Sequence, residues 1–173
     1  MEKPKTLYHG SSNKQIERFE PRAERTRDAS EGPKVFATPD KRMASIFIVG
    51  TDDSWANSGT YNDVPFLVIG DRERFQKLDQ GGVIYHLPSD SFETEPDKGL
   101  GKLEWTSGEP VTPSHKEQQH SAIDAMLEHG VQVYFVDPET YEKWRTAPDH
   151  GFTIVKSLVS ENQRRNIHPI PFE

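Results

Sequence analysis

The segment GVIYHLP, at Gly82–Pro88, is one of the two clearest β-strands in the sequence. Val, Ile and Tyr fill its middle, and glycine and proline mark its ends, which is the pattern of a strand between two turns. The segment PFLVI, at Pro65–Ile69, has the same character. These two segments indicate that a β-sheet forms the centre of the fold.

Shorter strand candidates flank these two segments, and their order indicates the fold class. Strands dominate the first two thirds of the chain, helices are interspersed late, and a regular βαβ alternation is missing. We therefore predict an α+β fold with a split, mostly antiparallel β-sheet core, a few peripheral helices and one domain over residues 1–173. The further strand candidates are Lys5–His9, Lys34–Ala37, Leu103–Ser107, Val131–Val136 and Ile167–Phe172, the last restricted to an edge by Pro169 and Pro171.

Four helices are predicted from capping residues and apolar spacing. The first begins at Thr38-Pro39 with Met43, Ile46 and Phe47 on one face, and the second is Ser114–His129 with Ile123, Met126 and Leu127 as its stripe and Gly130 as its stop. The third opens at Asp137-Pro138 and runs through Tyr141 and Trp144, and the fourth is Ser157–Arg165. Long loops are predicted at Pro21–Lys34, Thr51–Val64 and Pro88–Lys102.

The composition excludes several classes of function. The 173 residues include no cysteine, which removes disulfides, thiolate nucleophiles and cysteine-bound zinc, and fits a cytoplasmic location. No apolar run is long enough for a signal peptide or a membrane span. The formal net charge of -7 disfavours non-specific nucleic-acid binding. We interpret the basic run Arg22, Arg25, Arg27 and Lys34 as a solvated loop.

Common catalytic motifs are absent. The sequence has no GxGxxG after a strand, no GxxxxGK[ST], no HExxH and no GxSxG. The seven histidines show no metal-ligand spacing, and His115 and His120 fall on different faces of the predicted second helix. We therefore interpret His115 and His120 as surface histidines and expect no metal site.

The segment LYHGSS, at residues 7–12, is the first candidate for chemistry. Gly10 allows a close backbone approach, so that its N–H and C=O can pair with a planar amide of a ligand. His9 and Ser11 supply directional hydrogen bonds to hydroxyl groups. A plain strand end followed by a turn explains the same residues, and taken alone it is the better interpretation.

Two later segments carry aromatic and acidic candidates. Phe36 in a strand before a helix can pack on a flat heteroaromatic ring, although a core role is the better interpretation of Phe36 taken alone. Tyr85 lies in the strand at Gly82–Pro88. Glu104 begins the segment EWTSGEPV, where a carboxylate can hold a ribose hydroxyl and stabilise a cationic sugar carbon. An exposed strand residue is the alternative for Glu104, and Glu93, Glu95 and Asp97 are alternative acids in the preceding loop.

The order of these segments over residues 7–111 resembles the ADP-ribosyltransferase superfamily, with the small rifampin ADP-ribosyltransferases closest in layout. The resemblance implies that His9, Gly10 and Ser11 bind NAD, that Phe36 and Tyr85 lie beside it, and that Glu104 assists transfer. The family usually has a tyrosine, often in a Tyr-Phe pair, where this chain has Val35-Phe36.

The function implied by the resemblance is cleavage of the nicotinamide–ribose bond of NAD, with transfer of ADP-ribose to an unknown acceptor. NAD is then a co-substrate, and no metal is needed. The alternatives are a non-catalytic binding module of the same fold, favoured by the missing tyrosine, and RNA 2′-phosphotransferase-like chemistry, which the net charge disfavours. We expect His9 and Phe36 to line one cleft, and Glu104 to point into it.

Overall fold

The structure, a computed structural model, describes residues 2–23 and 29–165. Its strands and helices alternate irregularly along the chain. The strands are β1 (Thr6–Ser11), β2 (Val35–Ala37), β3 (Ala56–Tyr61), β4 (Val64–Ile69), β5 (Gly82–Pro88), β6 (Trp105–Ser107), β7 (His115–Gln119) and β8 (Gln132–Phe135). The helices are α1 (Lys41–Ile46), α2 (Arg72–Leu78), α3 (Ala122–His129), α4 (Pro138–Arg145) and α5 (Phe152–Arg165).

The strands form three small sheets. The first has the order β1-β5-β7, the second pairs β2 with β6, and both are antiparallel. The third has the order β3-β4-β8, in which β3 is antiparallel and β8 parallel to β4. The prediction of an α+β fold with mainly antiparallel sheets is therefore confirmed.

Glycine allows helix α1 to lie directly on the first sheet. A Cβ atom added to Gly10 of β1 would lie 1.8 Å from the carbonyl oxygen of Ala44, and one added to Gly82 of β5 would lie 2.7 Å from Ile48 Cγ2. Met43, Ala44 and Ile48 are buried on this contact. The absence of side chains at the two glycines therefore fixes the position of α1 over β1 and β5.

The predicted helix at Ser114–His129 is wrong in its first part. Residues 115–119 form strand β7 instead, because β5 offers a free edge and pairs with them in register, His86 opposite His115. The helix α3 begins only after Ser121, whose side chain accepts a hydrogen bond from Asp124 N at 3.0 Å. Its predicted end is confirmed, since Gly130 is left-handed with φ 86°.

The start of α1 also differs from the prediction. Thr38 is not the cap, because the helix begins only at Lys41, and the Thr38 hydroxyl accepts a hydrogen bond from Asp40 N at 3.1 Å, before the first turn. Asp40 is the cap, and its side chain accepts a hydrogen bond from Arg42 N at 2.9 Å. The helix then ends at Ile46, so Phe47, predicted on the apolar face, is 47% exposed.

Other elements match or extend the predictions. Helix α4 begins at Pro138 with Asp137 as its cap, as predicted, and α5 begins five residues earlier than expected. Strand β3 lies within the predicted loop Thr51–Val64, and α2 was not predicted. The predicted strand Ile167–Phe172, Arg25 and Arg27 lie outside the described residues. Over residues 2–23 and 29–165, no helix combines the length and apolar character needed to cross a bilayer.

Candidate functional site

The two segments predicted to form a site are neighbours. Tyr8 N donates to Thr38 O at 2.7 Å and Thr38 N donates to Tyr8 O at 2.9 Å, so β1 and the end of β2 meet in a single antiparallel bridge. Next to this bridge, His9 Nδ1 donates to Phe36 O at 2.7 Å. The proximity of the His-Gly strand and the aromatic strand is therefore confirmed.

The expectation that the His9 and Phe36 side chains line one cleft is wrong. The His9 ring lies 4.7 Å from the Phe19 ring, and Phe19 shares a buried cluster with Val35 and Ala37. Since side chains alternate along a strand, Phe36 points to the opposite face. The His9 ring bonds to the backbone carbonyl group of Phe36, not to its side chain. This bond holds β2 against β1.

The edge of β1 that faces β2 opens at Gly10. Tyr8 bonds to Thr38 on this edge, and backbone groups two residues apart in a strand face the same edge, so the N–H and C=O of Gly10 also face β2. Among the described residues, no backbone hydrogen bond joins them to β2. Gly10 is buried, and buried backbone groups are almost always paired. Over the described ranges, Gly10 is therefore the part of this edge whose backbone β2 leaves unbonded, and it is the backbone that the sequence prediction assigns to a planar amide.

A row of rings crosses the first sheet on the face that carries α1. Tyr8 pairs with His86, and His86 pairs with His115, so the three side chains share that face. The Tyr8 and His86 ring centroids are 5.0 Å apart, as are those of His86 and His115, with near-perpendicular planes. Backbone pairing thus assembles polar groups that are far apart in the sequence.

Glu117 of β7 completes this polar cluster. Its Oε1 accepts hydrogen bonds from Lys41 Nζ and from His86 Nε2, both at 2.7 Å. Burial raises the pKa of Glu117, but the hydrogen bonds and charges of Lys41 and His86 outweigh it, so the net pKa lies below the ordinary value. Lys41 Nζ also lies 5.2 Å from the centre of the Tyr8 ring. Glu117 is therefore an anchored anion on a strand.

Glu104 lies next to β2, whereas Glu117 lies on β7, at the far edge of the first sheet. It is extended, directly before β6, and it is partly buried, whereas Glu93, Glu95 and Asp97 are exposed. Trp105 pairs with Ala37 and joins its buried cluster, so alternation turns Glu104 toward the face that carries Tyr8 and Thr38. Its predicted direction into an NAD cleft stays a prediction.

The remaining predicted site residues have structural contacts. Tyr85 is fully buried, and its hydroxyl donates to Asn13 O at 2.6 Å and accepts from Ile16 N at 3.1 Å. Ser11 Oγ accepts a hydrogen bond from Asn13 N at 3.1 Å in the turn after β1. These bonds fix the turn next to the Gly10 edge, and the predicted contacts of both residues with NAD stay predictions.

The cluster of Lys41, His86, His115 and Glu117 was not predicted from the sequence. His86 and His115 are far apart in the sequence, and β7 was predicted as part of a helix. The only sequence signal is the alternation in HKE, which places His115 and Glu117 on one side of a strand.

Comparison with known proteins adds no relationship: no family model, curated protein or solved structure matches this chain.

Proposed function

We propose that the protein binds NAD at the Gly10 edge of β1 and cleaves the nicotinamide–ribose bond, passing ADP-ribose to an acceptor or to water. The observation that carries the proposal is the buried backbone of Gly10, directed to the open edge between β1 and β2. A carboxamide has one donor and one acceptor side by side, which complements the N–H and C=O of a single strand residue. Gly10 thus offers a site for nicotinamide.

The aromatic candidate lies on the side of the strands that this site requires. Continued from the Tyr8–Thr38 bridge, the register puts Phe36 across from Gly10, with its side chain on the α1 face. A nicotinamide ring held by Gly10 would then have an aromatic neighbour. His9 acts as a positioning residue, because its bond to Phe36 O fixes the separation of the two strands.

Two carboxylates on this face can stabilise the positive charge that develops on the ribose carbon as nicotinamide leaves. Glu104 is the residue that the sequence resemblance suggests. The geometry favours Glu117, because two hydrogen bonds hold its Oε1 and it lies within a paired strand. Preorganised charge of this kind supplies transition-state stabilisation without reorganisation.

The test is nicotinamide release from NAD by wild type, Glu117→Gln and Glu104→Gln, with NAD affinity measured by calorimetry. We expect Glu117→Gln to lower turnover by about 100-fold or more while NAD affinity stays nearly unchanged. Glu93→Gln, an exposed loop acid, is the matched control and should keep full turnover. Loss confined to Glu104→Gln would transfer the role to Glu104.

Two further outcomes decide between the proposal and its alternative. NAD binding without nicotinamide release by wild type would support the non-catalytic binding module. The absence of NAD binding by wild type would overturn both the enzyme proposal and the binding-module alternative.

A further inference from the structure

The structure brings together three side chains of the types that ligate transition metals. The ligating atoms of His86, His115 and Glu117 all lie within 4.8 Å of one another. His86 and His115 are direct cross-strand partners, and Glu117 follows two residues after His115 on the same face. We propose that these residues form a binding site for Zn²⁺ or a similar divalent transition metal ion, in contrast to the sequence expectation of no metal site.

The chemistry of the donors selects this class of ion. Two imidazole nitrogens and one carboxylate oxygen are a common protein ligand set for zinc, and they leave a fourth position for water or another ligand. Calcium and magnesium prefer sites built from oxygen alone. Ligand atoms within 4.8 Å can meet one ion at bonds of roughly 2.0–2.2 Å after small side-chain rotations.

The proposed metal site is open to solvent, and Lys41 competes with a metal ion for the Glu117 carboxylate. His115 is exposed, while the side chains of His86 and Glu117 are 18% and 27% exposed, so the site opens to solvent at the edge strand β7. Lys41 Nζ contacts the same carboxylate oxygen as His86 Nε2. A metal ion would take the place of the hydrogen bond between His86 Nε2 and Glu117 and would displace the ammonium group of Lys41 from that carboxylate.

The site does not depend on NAD chemistry, but it shares Glu117 with the proposed function. A metal ion on this carboxylate would remove it from the ribose. If the NAD proposal holds, Zn²⁺ therefore inhibits nicotinamide release, whereas metal binding itself is measurable with no NAD present.

The test is calorimetric titration of EDTA-treated, dialysed protein with ZnCl₂, with Co²⁺ absorption as a probe of nitrogen ligation. We expect one saturable site in wild type. His115→Ala and Glu117→Gln should weaken it by more than about 100-fold, because loss of even a supporting outer residue costs 10–100-fold. Lys41→Met should tighten it by about tenfold or more, since a competing charge is removed.

His120→Ala is the matched control, because His120 is exposed and follows β7 outside the cluster. It should bind Zn²⁺ like wild type. Thermal melting of each variant separates loss of fold from loss of site: Zn²⁺ should raise Tm in wild type and His120→Ala, and leave it unchanged in His115→Ala. The proposal would be overturned if wild type showed no saturable Zn²⁺ binding. It would also be overturned if His115→Ala and Glu117→Gln bound Zn²⁺ as tightly as wild type.

Discussion

The β1-β5-β7 sheet and the β3-β4-β8 sheet use their faces in different ways. The β3-β4-β8 sheet is covered on both faces, by the cluster of α1 and α3 on one side and by the apolar residues of α4 and α5 on the other. The β1-β5-β7 sheet has one apolar face, and its other face is shared between α1 and the polar row. We infer from this difference that the β1-β5-β7 sheet carries the proposed site, while the β3-β4-β8 sheet contributes mainly to stability.

The largest effect should come from the aromatic cluster on the β3-β4-β8 sheet. Trp144 is 6% exposed, and its ring lies 5.7 Å from the Tyr141 ring and 6.4 Å from the Phe66 ring, between centroids. We expect Trp144→Ala to cost about 3–5 kcal/mol of unfolding free energy, measured by urea denaturation. Zn²⁺ and NAD affinity of the protein that remains folded should be unchanged. A loss of either affinity in that folded protein would break the division between the sheets.

A Gly10→Ala substitution should affect both stability and binding. The new Cβ would lie 1.8 Å from Ala44 O, a backbone atom, so α1 must move away from β1. We expect destabilisation of about 1–3 kcal/mol, the usual cost of overpacking, together with loss of NAD binding. Gly50→Ala is the control, because the corresponding Cβ meets no atom within 4 Å. Unchanged stability in Gly10→Ala would contradict the described contact.

The strand-positioning bond of His9 should affect binding more than stability. We expect His9→Ala to weaken NAD binding by about 1–3 kcal/mol in calorimetry, because Phe36 O loses its partner and the two strands separate. The fold should survive, since the bridge between Tyr8 and Thr38 remains. Unchanged NAD affinity in a stable His9→Ala variant would remove His9 from the site.

The smallest effect should be the acid dependence of the Glu117 anchor. A carboxyl group whose folded pKa is lowered stabilises the fold above its unfolded pKa, about 4.3, and this stability is lost as the pH falls through the folded pKa. We expect urea unfolding to show a loss of unfolding free energy of at most about 1 kcal/mol in wild type as the pH falls. The loss should be smaller in Lys41→Met. Lys77→Met, which breaks the exposed pair with Glu73, is the control and should follow wild type.

The sequence predicted most strands because their apolar character is local. Strand β4 is buried on both faces, and its run of apolar residues is unambiguous. Strand β7 reads HKEQQ and has no β-branched residue, so only its pairing with β5 makes it a strand. Helix α2 has one buried residue, Phe75, and therefore no apolar stripe to detect.

The residues of the candidate site also divide into those that a local sequence pattern indicates and those that only the three-dimensional structure brings together. His9, Gly10 and Glu104 stand in recognisable local segments and were therefore proposed from the sequence. Glu117 was missed because its partners, Lys41 and His86, come from an α-helix and another strand, and only the three-dimensional structure joins them.

The most direct test of the central claim is a crystal structure of the protein soaked with NAD. We predict that the nicotinamide amide pairs with the N–H and C=O of Gly10, and that a carboxylate of the α1 face, Glu117 or Glu104, lies against the ribose. NAD bound elsewhere, for example on the aromatic cluster of the β3-β4-β8 sheet, would contradict this prediction.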